Sequence, residues 1–171
     1  MRVGVTGHRG LSASVEGRVR ELLEAAVGAY GPDGLVGVSC IADGPDAWFA
    51  EYVLAHGGRL EVVVPADAYR ESLPEEHWPV YDRLLGRAAE VHRTGMTDSD
   101  PAAHMAGSEV LVGLADELLA VWDGMPAWGF GGTADVVAYA ERTGVRVRVL
   151  WPEGASRRSD THLSTPPEGP A

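Results

Sequence analysis

The feature of this chain that most constrains its fold is a unit that recurs along it: a short β-branched apolar run, a glycine-bearing turn, then apolar residues at helical spacing. Residues 2–7 (RVGVTG) are the first run, and Val15, Val19, Leu22, Leu23, Ala26 and Val27 mark a helix over 14–30. Residues 35–40 (LVGVSC) read as a second strand, followed by the turn ADGPD and a helix over 47–56 that Gly57 and Gly58 close. A third strand spans 59–65, a polar, Pro-interrupted stretch covers 66–79, and a helix is expected over 80–91. Residues 92–102, rich in Thr, Asp, Gly and Ser, read as a loop before a helix over 103–114 and a strand over 117–124. GFGGT at 129–133 opens a last helix running to Arg142, and VRVRVLWP at 145–152 completes the pattern.

Near-continuously apolar strands that alternate with helices predict an α/β fold: a doubly wound, Rossmann-like, mainly parallel sheet of about five strands with helices on both faces. The 171 residues suit one domain. Its folded body is expected over 1–152, and 153–171, with three prolines and Leu163 as its one large apolar residue, reads as a disordered tail.

Composition narrows the chemistry. All 14 basic residues are arginine, and the absence of lysine excludes a P-loop lysine, a Schiff base to pyridoxal phosphate and a Ser-x-x-Lys acylation site. The single cysteine, Cys40, excludes an internal disulfide and multi-cysteine metal sites. No membrane-length apolar run and no signal-like start occur, so a cytoplasmic location away from membranes is expected. The net charge of −11, with no arginine cluster, disfavours nucleic acid as a partner. His56, His77, His92 and His104 lack ligand-like spacing and no GxSxG elbow occurs, so neither a metal nor a serine nucleophile is expected.

In open α/β sheets ligands bind beyond the carboxyl ends of the strands, where strand order reverses. Three glycine-bearing loops are placed there. In Gly129-Phe130-Gly131-Gly132-Thr133, glycines at a helix start let backbone amides approach an anion, the alternative being a tight turn capped by Thr133. Gly7, His8 and Arg9 follow the first strand, with Arg9 suited to a phosphate or to solvent. Asp43 and Asp46 flank Gly44 and Pro45, so either Asp46 caps the next helix or one of the two carboxylates holds a ribose hydroxyl pair. Asp123 and Gly124 end a buried strand, a position of catalytic or ribose-binding carboxylates and also of simple turns. Glu51 is either a solvated helix residue or a catalytic carboxylate. Tyr69, Arg70 and Trp78 suggest a lid over a base, and Trp128 adjoins the glycine loop.

Three blocks, VGVTGHRGL at 3–11, ADGPDAWFAE at 42–51 and LLAVWDGMPAWGFGGTADVVAYA at 118–140, together resemble the SLOG superfamily, which includes the Lonely Guy phosphoribohydrolases and related Rossmann-like nucleotide sensors. The resemblance implies binding of a nucleoside phosphate or an ADP-ribose or NAD derivative, its phosphate on Gly131 to Thr133, with no further cofactor and in a homodimer. The enzymatic branch carries PGGxGTxxE and an arginine on the preceding helix; those positions fall here on Val136 and near Ser108. Neither side chain stabilises an oxocarbenium-like transition state, so the resemblance implies binding or sensing. The alternative is N-glycoside hydrolysis or transfer with Asp123 or Glu51 as the carboxylate.

Overall fold

The computed structural model describes residues 1–31 and 33–157. Six strands form one sheet in which every pairing is parallel, in the order β4-β3-β2-β1-β5-β6. They are β1 (Arg2–Gly7), β2 (Val36–Ser39), β3 (Arg59–Val64), β4 (Glu90–Arg93), β5 (Glu117–Val121) and β6 (Arg146–Val149). The helices are α1 (Ala13–Gly28), α2 (Pro45–Ala55), α3 (Tyr69–Ser72), α4 (Trp78–Gly86), α5 (Pro101–Leu114) and α6 (Thr133–Arg142). The central strands β1, β2 and β5 are buried over half or all of their length because both of their faces are covered, as the doubly wound reading requires.

Two buried clusters flank the sheet. Leu118 joins Met105 and Leu111 of α5 and Val136 and Ala140 of α6, whereas Leu119 and Val121 join Val15, Val19 and Leu23 of α1. Successive strand residues point to opposite faces, so the division at Leu118 and Leu119 puts one cluster on each side. Helix α2 reaches both, through Ala47 and Ala50 in one and Phe49 and Val53 in the other.

One segment departs from the sequence expectation. The helix expected over 80–91 stops at Gly86, and part of the segment read as helix and loop is the edge strand β4. Its sequence, Glu-Val-His-Arg, carries no apolar run because an edge strand is half solvated. What holds it is long-range: Glu90 pairs in register with Glu61, and His92 Nε2 lies 3.0 Å from Glu61 Oε2. The sheet therefore has one strand more than the pattern suggests. Residues 66–79, read as a polar, Pro-interrupted stretch, contain α3 and a 3₁₀ turn over Glu75–His77. Among the described residues no helix is long and apolar enough to cross a membrane.

The order of strands reverses between β1 and β5, since β2 to β4 lie on one side of β1 and β5 and β6 on the other. Gly7, the last residue of β1, keeps this crevice tight. A Cβ there would lie 2.8 Å from both Pro45 Cβ of α2 and Val121 Cβ of β5, so only glycine lets the three elements meet.

A cavity at the strand crossover

A cavity of about 350 Å³ opens at the carboxyl ends of β1 and β2, walled by α5 and by the loop leading into α6. Of the residues singled out in the sequence, Gly7, His8, Arg9, Asp46, Gly129, Gly131, Gly132 and Thr133 line it. So do Ser108 and Val136, the positions on which the sequence resemblance places the charged residues of the enzymatic branch. Glu51 does not; it lies on α2, ion-paired with Arg83 on the surface. Gly44 sits just behind, with φ 95° at the N-cap of α2, and Gly124, φ 79°, forms the turn after β5.

The loop after β2 is held by buried polar contacts. Ser39 Oγ donates to the Asp46 carbonyl at 3.0 Å and accepts from the Ile41 amide at 2.9 Å. His77 Nε2 donates to the Ile41 carbonyl at 2.9 Å, anchoring from the 3₁₀ turn a residue whose φ of 49° is unfavourable for a β-branched side chain. This brings Asp46 to the cavity wall. Its remaining surface faces the cavity while protein surrounds the rest, and burial pushes its carboxyl up to about 7, against a backbone hydrogen bond from Ala42 and the charge of Arg9. Arg9 itself pairs with Asp43 at 2.5 Å. The Cys40 thiol, also lining the cavity, is raised well above its usual range by burial and is no thiolate nucleophile.

Asp123 stands behind His8. Its Oδ1 lies 3.0 Å from His8 Nε2 and accepts from the Met125 amide at 3.0 Å. Burial works to raise this carboxyl, yet these hydrogen bonds and the charge of Arg157 hold it below its ordinary value, so it stays ionised. On the other side of the imidazole, Arg157 Nη1 donates to Nδ1 at 3.2 Å, which assigns the ring proton to Nε2. Burial, assisted by Arg157, lowers the pKa of His8 despite Asp123, so the ring is neutral at pH 7. Asp123 thus orients His8 and does not itself line the cavity.

The glycine loop divides its work. Gly131, at φ 80°, brings its backbone against α5: a Cβ there would lie 3.0 Å from the Pro101 carbonyl oxygen. Its amide donates to Asp135 Oδ2 at 2.8 Å, a cap that fixes the loop on the first turn of α6. Gly132 is the N-cap, its carbonyl accepting from Asp135 and Val136, which leaves the amides of Thr133 and Ala134 without intrahelical partners. Of the amides at this helix start, those of Thr133 and Ala134 have no intrahelical acceptor, whereas that of Gly131 is committed to Asp135.

Three lining residues, His104, Cys40 and Arg157, escaped the sequence reading of the site, whereas Tyr69 was part of the expected lid. Tyr69 and His104, in edge-to-face contact at 5.7 Å, close the wall next to α5, and Cys40 adds to the floor. Burial and then Arg9 lower the pKa of His104. The third, Arg157, falls in the segment read as a tail. Only spatial neighbours reveal these, since none belongs to a motif. The Tyr69–Trp78 segment contributes Tyr69 alone: Trp78 donates to the Leu73 carbonyl beneath Arg70, which is bidentate to Asp82.

No protein-family model matches the chain, and no curated protein matches it either. Solved structures do. DNA processing protein A from Streptococcus pneumoniae is similar at 19% identity and a TM-score of 0.63 over 86% of this chain; the chain spans about half (49%) of that protein's length. DNA processing protein A from Helicobacter pylori, described for its single-stranded DNA binding mode, is similar at 15% identity and a TM-score of 0.67, covering 92% of this chain and 68% of the other. A molybdenum cofactor binding protein from Rippkaea orientalis is similar at 15% identity and a TM-score of 0.56, covering 86% and 74%.

These neighbours overturn the exclusion of nucleic acid drawn from net charge, because a protein of this architecture binds single-stranded DNA. Net charge sums the whole surface, whereas a strand is held by the few groups of one groove. In strand order and in the placement of the cavity at the switch point, the chain shares the Rossmann-like fold of these neighbours, which is the fold that the resemblance of the three sequence blocks implies.

Proposed function

We propose that this chain binds a nucleotide or nucleotide derivative in the switch-point cavity and does not cleave it. The observation that carries this reading is the convergence of the open N-terminus of α6 with two arginines, Arg9 and Arg157, on one cavity. Cleavage of an N-glycosidic bond is disfavoured by the same geometry. Among the described residues Asp46 is the one carboxylate that lines the cavity, and it is half-neutral near pH 7, whereas an oxocarbenium-like transition state calls for an ionised one. Val136 and Ser108 occupy the wall without charge.

A second reading, that the nucleotide unit belongs to a single strand of nucleic acid, is supported by Trp128 and Phe130. They are 75% and 66% exposed at the cavity mouth, where bases would stack, and a structural neighbour binds single-stranded DNA. In either reading the site of action is the cytoplasm, where such ligands are held.

The test is thermal denaturation of the protein with AMP, ADP-ribose, NAD and a short oligothymidylate, with chromatography for released base. A rise in Tm with a mononucleotide and no free base supports the first reading, and a salt-sensitive rise with the oligomer alone supports the second. Base release, or no response to any of the four at millimolar concentration, refutes the proposal.

A further inference from the structure

Arg157 is placed as a recognition group rather than as a structural one. It lies eight residues beyond the end of β6, and its side chain, one-tenth exposed, returns across the sheet end to the cavity. The guanidinium lies over the Trp128 ring, its central carbon 3.9 Å from the centroid, which fixes its plane. One terminal nitrogen donates to His8 Nδ1 and the other to the Pro126 carbonyl at 3.4 Å, so each terminal nitrogen has a further N–H to place. The Nε–H is buried and finds no hydrogen-bond acceptor among the described residues. Asp123 Oδ2 is 3.3 Å away and balances the charge, but its approach is misaligned, and the other oxygen of that carboxylate serves His8 and Met125.

A buried guanidinium with an unmet donor is costly unless an acceptor arrives. The geometry points to Arg157 as the residue that recognises a phosphate group in this cavity, a planar donor fork held on Trp128 opposite the open start of α6. The proposal rests on the nucleotide reading above and names the part of the ligand that the chain reads by charge. A phosphate supplies oxygens spaced for that fork, and the Trp128 stack makes the fork rigid before the ligand enters.

Calorimetric titration of the full chain with adenosine, AMP and inorganic pyrophosphate tests it, using Arg157→Ala, Arg157→Gln and Arg157→Lys, each checked for folding by circular dichroism. The wild type is expected to bind AMP about tenfold or more tightly than adenosine. Arg157→Ala and Arg157→Gln are expected to abolish that preference while leaving adenosine within about twofold, and Arg157→Lys to restore only part of it. An AMP preference that survives in Arg157→Gln overturns the role of Arg157 and leaves the nucleotide reading standing. Arg157-dependent binding of pyrophosphate with no gain from a nucleoside upholds Arg157 and overturns the nucleotide reading. No binding of any probe by the wild type overturns both.

Discussion

Asp46→Asn separates the charge of the cavity carboxyl from its shape. Burial moves this group from 3.8 to about 7, which corresponds to roughly 4 kcal/mol in favour of the neutral form. The folded state therefore holds a proton that the unfolded chain releases above pH 3.8, and the native state loses stability through this group as pH rises from about 4 to about 7. Above 7 the loss is complete and constant. Asparagine keeps the volume and an acceptor for the Ala42 amide and removes the titration. The variant and the wild type are expected to match near pH 4, and the variant to be more stable at pH 8. Because the carboxyl faces the cavity and Arg9 is near, about 1–3 kcal/mol of the full figure is expected to be measured. Urea denaturation at pH 4.5, 6 and 8, read as the difference between the two proteins, isolates Asp46 from the other titrating groups. A difference that stays flat with pH, or a variant less stable at pH 8, refutes the assignment of a buried, near-neutral carboxyl.

Three further substitutions test the frame of the site. Gly7→Ala is expected to cost about 1–3 kcal/mol in urea denaturation, because the added methyl meets two Cβ atoms that are fixed to backbone on α2 and β5; a neutral result refutes the tight crossover. Ser39→Ala is expected to cost about 1–3 kcal/mol by leaving the Ile41 amide unpaired, with faster hydrogen exchange at that amide as the specific readout. Glu61→Gln addresses the β3–β4 edge: burial works to raise the Glu61 carboxyl, but hydrogen bonds from His92 and Arg2 hold it below 4.5. Its stabilisation is thus complete above 4.5 and lost as pH falls through the lower folded value. The variant is expected to be less stable than wild type by about 1–3 kcal/mol at pH 7, with the gap narrowing as the pH falls below 4.5; a gap that does not change between pH 7 and the acid limit of folding refutes the ionised reading.

Much of this architecture is legible in the order of residues. Runs such as RLEVVV at β3 and ELLAV at β5 are apolar at successive positions because helices cover both faces, and that pattern alone implies a parallel sheet. The glycine-bearing loops after β1 and β2 and before α6 could likewise be assigned to the ligand end, since in such sheets function gathers at the carboxyl ends of strands. Edge strand β4 was not legible, because four half-solvated residues carry no periodic signal and their partner, Glu61, lies 29 residues earlier. Nor was the part played by each glycine: Gly7 and Gly131 are demanded by neighbouring backbone and side chains that only packing brings within 3 Å.

The sequence by itself determined the class of fold, the end of the sheet at which the cavity opens, and the absence of lysine, thiol-cluster and serine-elbow chemistry, because periodicity and composition are local properties of the chain. The tertiary structure decided which carboxylate faces the cavity and which stands behind it. Asp46, Asp123 and Glu51 are alike in sequence, yet burial raises the first to about 7, hydrogen bonds from His8 and Met125 keep the second ionised, and Arg83 holds the third on the surface. It also carried Arg157 from beyond the last strand onto Trp128 and into the cavity. Desolvation and charge pairing depend on distances across the fold, and no spacing along the chain encodes them.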